Sequence, residues 1–171
     1  MVARSPAGAM DLAIREERPG DANAIRAVLE QAFGRAAEAD LVDALRASGD
    51  VVTALVAIEA EKVVGHVTTS RLDAPMRAVA LAPVAVRPER QGRGIGSRLI
   101  EAAIAAARAA GEQSILLLGE PAFYGRFGFR VEAARGYACA YAGPFLMALT
   151  LDPAAPMRGR IDYPAPFSAL G

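Results

Sequence analysis

Cysteine, histidine and lysine each occur once in these 171 residues, as Cys139, His66 and Lys62. A single cysteine excludes an internal disulfide and a cysteine metal cluster, and no other metal-ligating constellation is legible. Cys139, within Gly136-Tyr-Ala-Cys-Ala-Tyr141, is expected to be a small core or pocket-wall residue. A reactive thiol needs a partner that lowers its pKa, and His66 is distant in sequence. No apolar run approaches the roughly 18 residues that a membrane-spanning helix needs, and residues 1–10 lack the apolar core of a secretion signal. Excess charge is absent too: 19 basic residues balance 19 acidic ones. That balance excludes a general electrostatic attraction to nucleic acid or to an anionic membrane. Together these absences predict a cytoplasmic protein without a nucleic-acid or membrane partner.

What is present is the composition of one globular domain, 53% hydrophobic and 22% charged, large enough to bury a core without staples. Asp11 to Glu16 reads as a first strand. Asp21 is placed to cap a helix carrying Ile25, Val28, Leu29, Ala32 and Phe33 at helical spacing, with Gly34 closing it. A second helix is expected over 36–48, with Leu41, Ala44 and Leu45 inward. Val51 to Glu59 and Lys62 to Ser70 form a hairpin around Ala60-Glu61. Strands over 77–86 and 114–118, separated by a helix over 95–110, make a crossover unit, and such a unit forces its two strands parallel. A helical turn over 121–126, a strand over 129–132 and a strand over 146–151 precede a Pro-rich tail. The fold class is therefore mixed α/β in a single domain.

The informative segment is Val84-Ala-Val-Arg-Pro-Glu-Arg-Gln-Gly-Arg-Gly-Ile-Gly-Ser97. It sets three glycines between a buried strand and the first turn of a helix, where the backbone can approach a ligand closely. The helix start offers unpaired N–H groups and the positive end of a dipole, a combination that suits a phosphate or pyrophosphate. A P-loop would need a lysine that is missing here. A dinucleotide fingerprint would need glycine where Ser97 stands, and would turn straight off its strand. A glycine turn with no ligand is the bland alternative.

Gln91-Gly-Arg-Gly-Ile-Gly96 instead matches Gln/Arg-x-x-Gly-x-Gly/Ala, and so resembles the acetyl-CoA motif of the GNAT superfamily of N-acetyltransferases. A second segment, Pro121-Ala-Phe-Tyr-Gly-Arg-Phe-Gly-Phe129, is similar to the Tyr-x-x-x-Gly-Phe pattern of the same family and looks like one bacterial branch of small members. The resemblance implies the GNAT fold: a mostly antiparallel sheet with one parallel strand pair, and helices on both faces. Residues 1–10 read as a loose leader, or as an extension ahead of a start at Met10, and the resemblance implies one acetyltransferase domain over 11–171. It also implies acetyl-CoA as cosubstrate, no metal and an amine acceptor, small molecule or peptide, and it leaves room for a homodimer. Val84, Ala85 and Val86 would pair with the pantetheine arm. Gln91, Gly92, Arg93, Gly94, Ile95, Gly96 and Ser97 would hold the pyrophosphate.

By the same resemblance Tyr124 would be the general acid. A phenol near pKa 10 is matched to a departing thiolate of comparable pKa, whereas the structural alternative is a tyrosine packed among Phe123, Phe127 and Phe129. A backbone N–H near Ala85 would polarise the thioester oxygen, and Pro83, with no N–H to give, suggests a bulge or splay in its strand. No carboxylate lies on the 77–86 strand. Glu120 and His66 are candidate bases, each more readily a solvated loop carboxylate and a structural histidine, and Glu59 reads as a turn residue. The family's acceptor groove would fall at 33–38 and 135–145, with Arg35, Glu38, Arg135, Tyr137 and Tyr141. A coenzyme-binding sensor without turnover is the alternative from another class, and the missing carboxylate favours it.

Overall fold

The computed structural model describes residues 11–170, so the leader expected over 1–10 lies outside the described residues. Strands β1 (Leu12–Glu16), β2 (Val51–Glu59), β3 (Lys62–Arg71), β4 (Ala78–Val86), β5 (Ser114–Leu118) and β7 (Leu146–Thr150) form a sheet in the order β1-β2-β3-β4-β5-β7. All neighbours are antiparallel except β4 and β5. A two-residue strand β6 (Tyr137–Ala138) pairs with β8 (Gly159–Arg160) beside it. Helices α1 (Ala22–Phe33) and α2 (Ala37–Ser48) cover one face. Helix α3 (Ile95–Ala109), the crossover between β4 and β5, covers the other.

The apolar periodicity explains this layering. Leu99, Ile100 and Ala103 of α3 are buried against Val67, Val79, Leu81 and Ile115. Each large side chain removed from water in this way contributes about 1.5–3 kcal/mol. Ile25, Val28 and Leu29 of α1 meet Val42 of α2 and Val56 of β2 on the opposite face. Gly34 and Gly49 end the two helices in the left-handed conformation, at φ 69° and 78°, which costs a residue without Cβ little. Among the described residues no helix is long and apolar enough to cross a membrane.

One irregularity in β4 shapes the site. Between β3 and β4 the register slips from Val67↔Val84 to Thr69↔Leu81, so β4 carries an extra residue at Ala82-Pro83. The extra residue inverts the alternation of the strand. Before it, Val79 and Leu81 face α3; after it, Val84 and Val86 do, and Ala85 turns to the α1 side. Pairing with β5 covers only Ala78, Val79 and Ala80, so beyond Ala80 the two parallel strands part.

Three expectations need correction. Asp21 does not cap α1; its carboxylate accepts the Arg18 N–H at 2.7 Å and pairs with Arg15, closing the single turn Pro19–Asp21 ahead of the helix. Phe33 is 41% exposed rather than inward. The strand expected over 129–132 reduces to one bridge, Arg130↔Ala148, because Val131 already has helical dihedrals and leads into a short helix at Glu132–Ala134.

Candidate functional site

Where β4 leaves β5, the ladder decides which backbone groups are free. The Arg87 N–H donates to the Val64 carbonyl at 2.8 Å, and the register continues as Gly65↔Val86, His66↔Ala85 and Val67↔Val84. Antiparallel pairs alternate between bonded and non-bonded. The N–H and carbonyl of Ala85 therefore point at His66, and those of Val84 and Val86 point to the side that β5 has left. The unpaired N–H near Ala85 is therefore that of its neighbour Val84 and not that of Ala85 itself. Chain direction alone could not distinguish the two, because the bulge fixes the phase.

Beyond Val86 the chain makes one turn at Pro88–Arg90 and reaches Gly92 and Gly94, at φ 77° and 80°. No atom lies within 4 Å of where a Cβ on either would stand, so this backbone borders open space. Gly94 precedes α3, and no side chain caps the helix. The N–H groups of its first turn, at Ile95, Gly96 and Ser97, therefore have no intrahelical partners. A cleft of about 500 Å³ lies here, bordered by Val86, Gly92, Gly94, Gly96 and Ser97 and, from across the cleft, Phe123 and Arg126.

The side chains on this turn divide their work. Gln91 donates from Nε2 to the Val86 carbonyl at 3.0 Å, tying the turn to the strand end. Arg90 pairs with Glu59 at 2.6 Å, which makes Glu59 a buried anchor of the turn and not a simple hairpin residue. Ile95 is buried in the core, so its contribution to the cleft is its backbone. The Arg93 side chain is exposed and lies outside the residues lining the cleft. Arg126, not singled out from sequence, does line it, with its guanidinium carbon 4.6 Å from the Phe123 ring centroid.

Tyr124 ends the short helix α4 (Pro121–Tyr124) just past β5. The N–H groups of Phe123 and Tyr124 both donate to the Glu120 carbonyl at 3.0 Å. The Tyr124 ring packs edge-on to Phe123 and Phe129, at centroid distances of 4.9 and 6.2 Å. Its hydroxyl makes no hydrogen bond among the described residues, and burial pushes its pKa above that of a free phenol. The ring is packed, and the packing leaves the hydroxyl unengaged.

A second cavity, of about 570 Å³, opens on the other side of the splay. The bulge residues Leu81–Val84, the β5 end at Leu117 and Leu118, and Tyr124 form its floor. Phe33, Arg35, Glu38 and Leu41 form one wall; Tyr141, Tyr163 and Phe167 form another. Arg35, Glu38 and Tyr141 thus lie where the sequence placed a groove. Arg135 and Tyr137 instead line a separate cleft, and the Tyr137 hydroxyl donates to the Pro156 carbonyl. Tyr163 and Phe167 were not foreseen, because nothing in the Pro-rich tail signals that it folds back against α2.

Neither candidate base reaches this cavity. His66 is fully buried with Nε2 3.1 Å from Glu17, in a network that continues to Arg46. Glu120 is exposed at the α4 start, and its side chain lines neither cavity.

Comparison with known proteins gives a consistent result. A family model described as an acetyltransferase (GNAT) domain matches residues 50–131. The uncharacterized N-acetyltransferase YhbS of Escherichia coli is 36% identical over 134 residues, which cover 76% of this chain and 80% of that protein. The crystal structure of E. coli YhbS in complex with CoA superposes with a TM-score of 0.88 at 30% identity, over 98% of both chains. A GNAT family acetyltransferase from Brucella melitensis, in complex with acetyl-CoA, gives 0.80 at 36% identity, over 93% of this chain and 99% of that one.

Proposed function

The chain belongs to the GNAT family of N-acetyltransferases, and from that premise we propose that it moves an acetyl group from acetyl-CoA to a primary amine by direct attack within a ternary complex. The observation that carries the proposal is the parting of β4 from β5 after Ala80, with a glycine-lined cleft at one end and a second, largely apolar cavity at the other. Val86 lines the cleft and Val84 the cavity, so one stretch of strand connects them.

Acetyl-CoA supplies an acyl thioester. The first-turn N–H groups of α3 and the backbone of Gly92 and Gly94 cradle its pyrophosphate, with Arg126 adding charge from across the cleft. Val84 holds the pantetheine arm through the backbone groups that β5 leaves unpaired, and Val86 through its N–H, because its carbonyl already accepts from Gln91. The Val84 N–H stabilises the negative charge that develops on the thioester oxygen as the amine attacks, an effect that is large in a dry site. Tyr124 donates its proton to the departing sulfur, and burial keeps that proton in place at neutral pH. The net change is an ammonium and a thioester going to an amide, a thiol and one released proton.

Thermal unfolding with excess acetyl-CoA, with NAD and ATP as controls, tests the coenzyme. A ligand at about 100 times Kd adds about 2.7 kcal/mol, a rise of roughly 5–10 °C in Tm for a domain of this size. Stabilisation by NAD or ATP instead, or by none of the three, would overturn the proposal. Tight acetyl-CoA binding with no release of CoA in the presence of any amine would convert the protein to a coenzyme sensor.

A further inference from the structure

The second cavity has a composition that selects among amines. Apart from Ser168, its lining residues are apolar or aromatic except for Arg35 and Glu38. Glu38 is buried, at 6% exposure, and accepts two hydrogen bonds from Arg35 Nε, at 3.0 and 3.1 Å, and a third, short one from the guanidinium terminus. The opposite wall is a continuous aromatic array: Tyr141 lies edge-on to Tyr163 at 4.8 Å, and Tyr163 edge-on to Phe167 at 5.1 Å. Two of the chain's exposed large apolar residues, Phe33 and Leu118, also line this cavity, so the apolar surface continues to solvent.

Each charge carried into such a space needs a partner, because an unpaired buried charge is strongly disfavoured. The cavity offers one carboxylate, already shared with Arg35. A spermidine or an aminoglycoside brings several ammonium groups and would leave the rest unpaired. A monoamine on a flat apolar body places its one ammonium at Glu38 and its body against the aromatic wall, where a cation is also favoured.

Resting on the transferase reading above, we propose that the acceptor is an arylalkyl monoamine and that Glu38 is the residue that binds its ammonium, which gives up a proton to solvent before the same nitrogen attacks the thioester. Arg35 competes with the ammonium for the same carboxylate, since two of its three bonds converge on Oε1 and leave lone pairs on Oε2 for an incoming donor. The pair therefore sets affinity in opposite directions: Glu38 attracts the acceptor and Arg35 holds Glu38 back.

The test is a steady-state comparison of phenethylamine, spermidine and kanamycin at saturating acetyl-CoA, with acetyl-CoA binding measured separately by calorimetry. Phenethylamine should exceed the other two in kcat/KM by about 100-fold or more. Glu38→Gln should raise KM for phenethylamine about tenfold or more, the scale of a hydrogen bond to a charged group, with acetyl-CoA affinity unchanged. Arg35→Gln should lower that KM. A purely structural ion pair would instead make both variants worse in the same direction. If acetyl-CoA binds but phenethylamine is no better than spermidine or kanamycin, or is not acetylated, the acceptor class is overturned while the coenzyme reading stands. If acetyl-CoA does not bind, the transferase reading fails, and this proposal fails with it.

Discussion

A Cβ placed on Gly119 would lie 2.5 Å from Cδ2 of Tyr124, so the tyrosine ring occupies the space that any other residue at position 119 would fill. Gly119 is held in turn by its N–H to the Phe145 carbonyl at 3.0 Å. That bond ties the end of β5 to the segment before β7, and the ring fills the space beside the glycine. Gly119→Ala should push the ring off its position and lower kcat about tenfold or more, since small misplacements of a catalytic group are costly. Tyr124→Phe should lower kcat by roughly 10²-fold. Acetyl-CoA affinity should be nearly intact in both. A kcat within twofold of wild type for Tyr124→Phe would return Tyr124 to a packing role.

The protonation of Tyr124 gives a second prediction. Burial raises its pKa above the ordinary 10.0, and a general acid works only while it holds its proton. Activity that depends on it is therefore present below that raised pKa and lost above it. The kcat profile at saturating substrates should show no falling limb between about pH 7 and 9.5. A limb centred near pH 8 that disappears in Tyr124→Phe would place the phenol in a polar setting and contradict the burial described above.

Much of this site could be read along the chain, and the part that could not has an identifiable cause. The glycine turn and α4 are local features: turn residues, a helix start and an apolar strand lie within about fifteen positions, so the sequence carries them directly. The phase of β4 is also local in origin, because Pro83 announces an irregularity. Whether the bulge hands the free N–H to Val84 or to Ala85 depends on pairing with β3, which is a tertiary fact. Of the aromatic wall only Tyr141 was legible, and the rest was hidden for a stronger reason. Tyr141, Tyr163 and Phe167 meet only because the tail returns across α2, and Pro-rich composition with no periodicity gives no sign of where it docks. Asp21 failed as a cap because Arg15, six residues earlier on β1, takes its carboxylate.

The Glu17 network predicts a pH dependence of stability. Burial alone would raise the Glu17 pKa, but hydrogen bonds from Arg46 and His66 outweigh it and bring the folded value to about 2, from an ordinary 4.5. A carboxylate with a depressed folded pKa contributes stability that is present above about pH 4.5 and is lost as the pH falls toward 2. At neutral pH this contribution is about 2–3 kcal/mol, discounted for the partial exposure of the group. Glu17→Gln should therefore destabilise the protein by about that amount in urea titrations at pH 7, and the difference from wild type should shrink steadily between pH 4.5 and 2. A difference that stays constant with pH would mean that the loss comes from packing and not from the charge.

Gly96 separates the fold from the ligand path. A Cβ there would stand 3.7 Å from the nearest neighbour, Val86 Cγ2, an ordinary contact, and Gly96 has no positive φ that a side chain would strain. In the first turn of a helix, replacing glycine removes a conformational penalty of about 0.5–1 kcal/mol, part of which a β-branched residue gives back. The Gly96→Val protein should therefore fold with a Tm close to that of wild type. Its isopropyl group would project into the cleft that the pyrophosphate is proposed to fill, next to the N–H groups that would bind it. Acetyl-CoA Kd should rise at least tenfold, about 1.4 kcal/mol, and the acetyl-CoA-induced rise in Tm should fall accordingly. Unchanged affinity in a well-folded Gly96→Val protein would mean that the glycine turn borders open space for some other reason, and that the coenzyme follows another path.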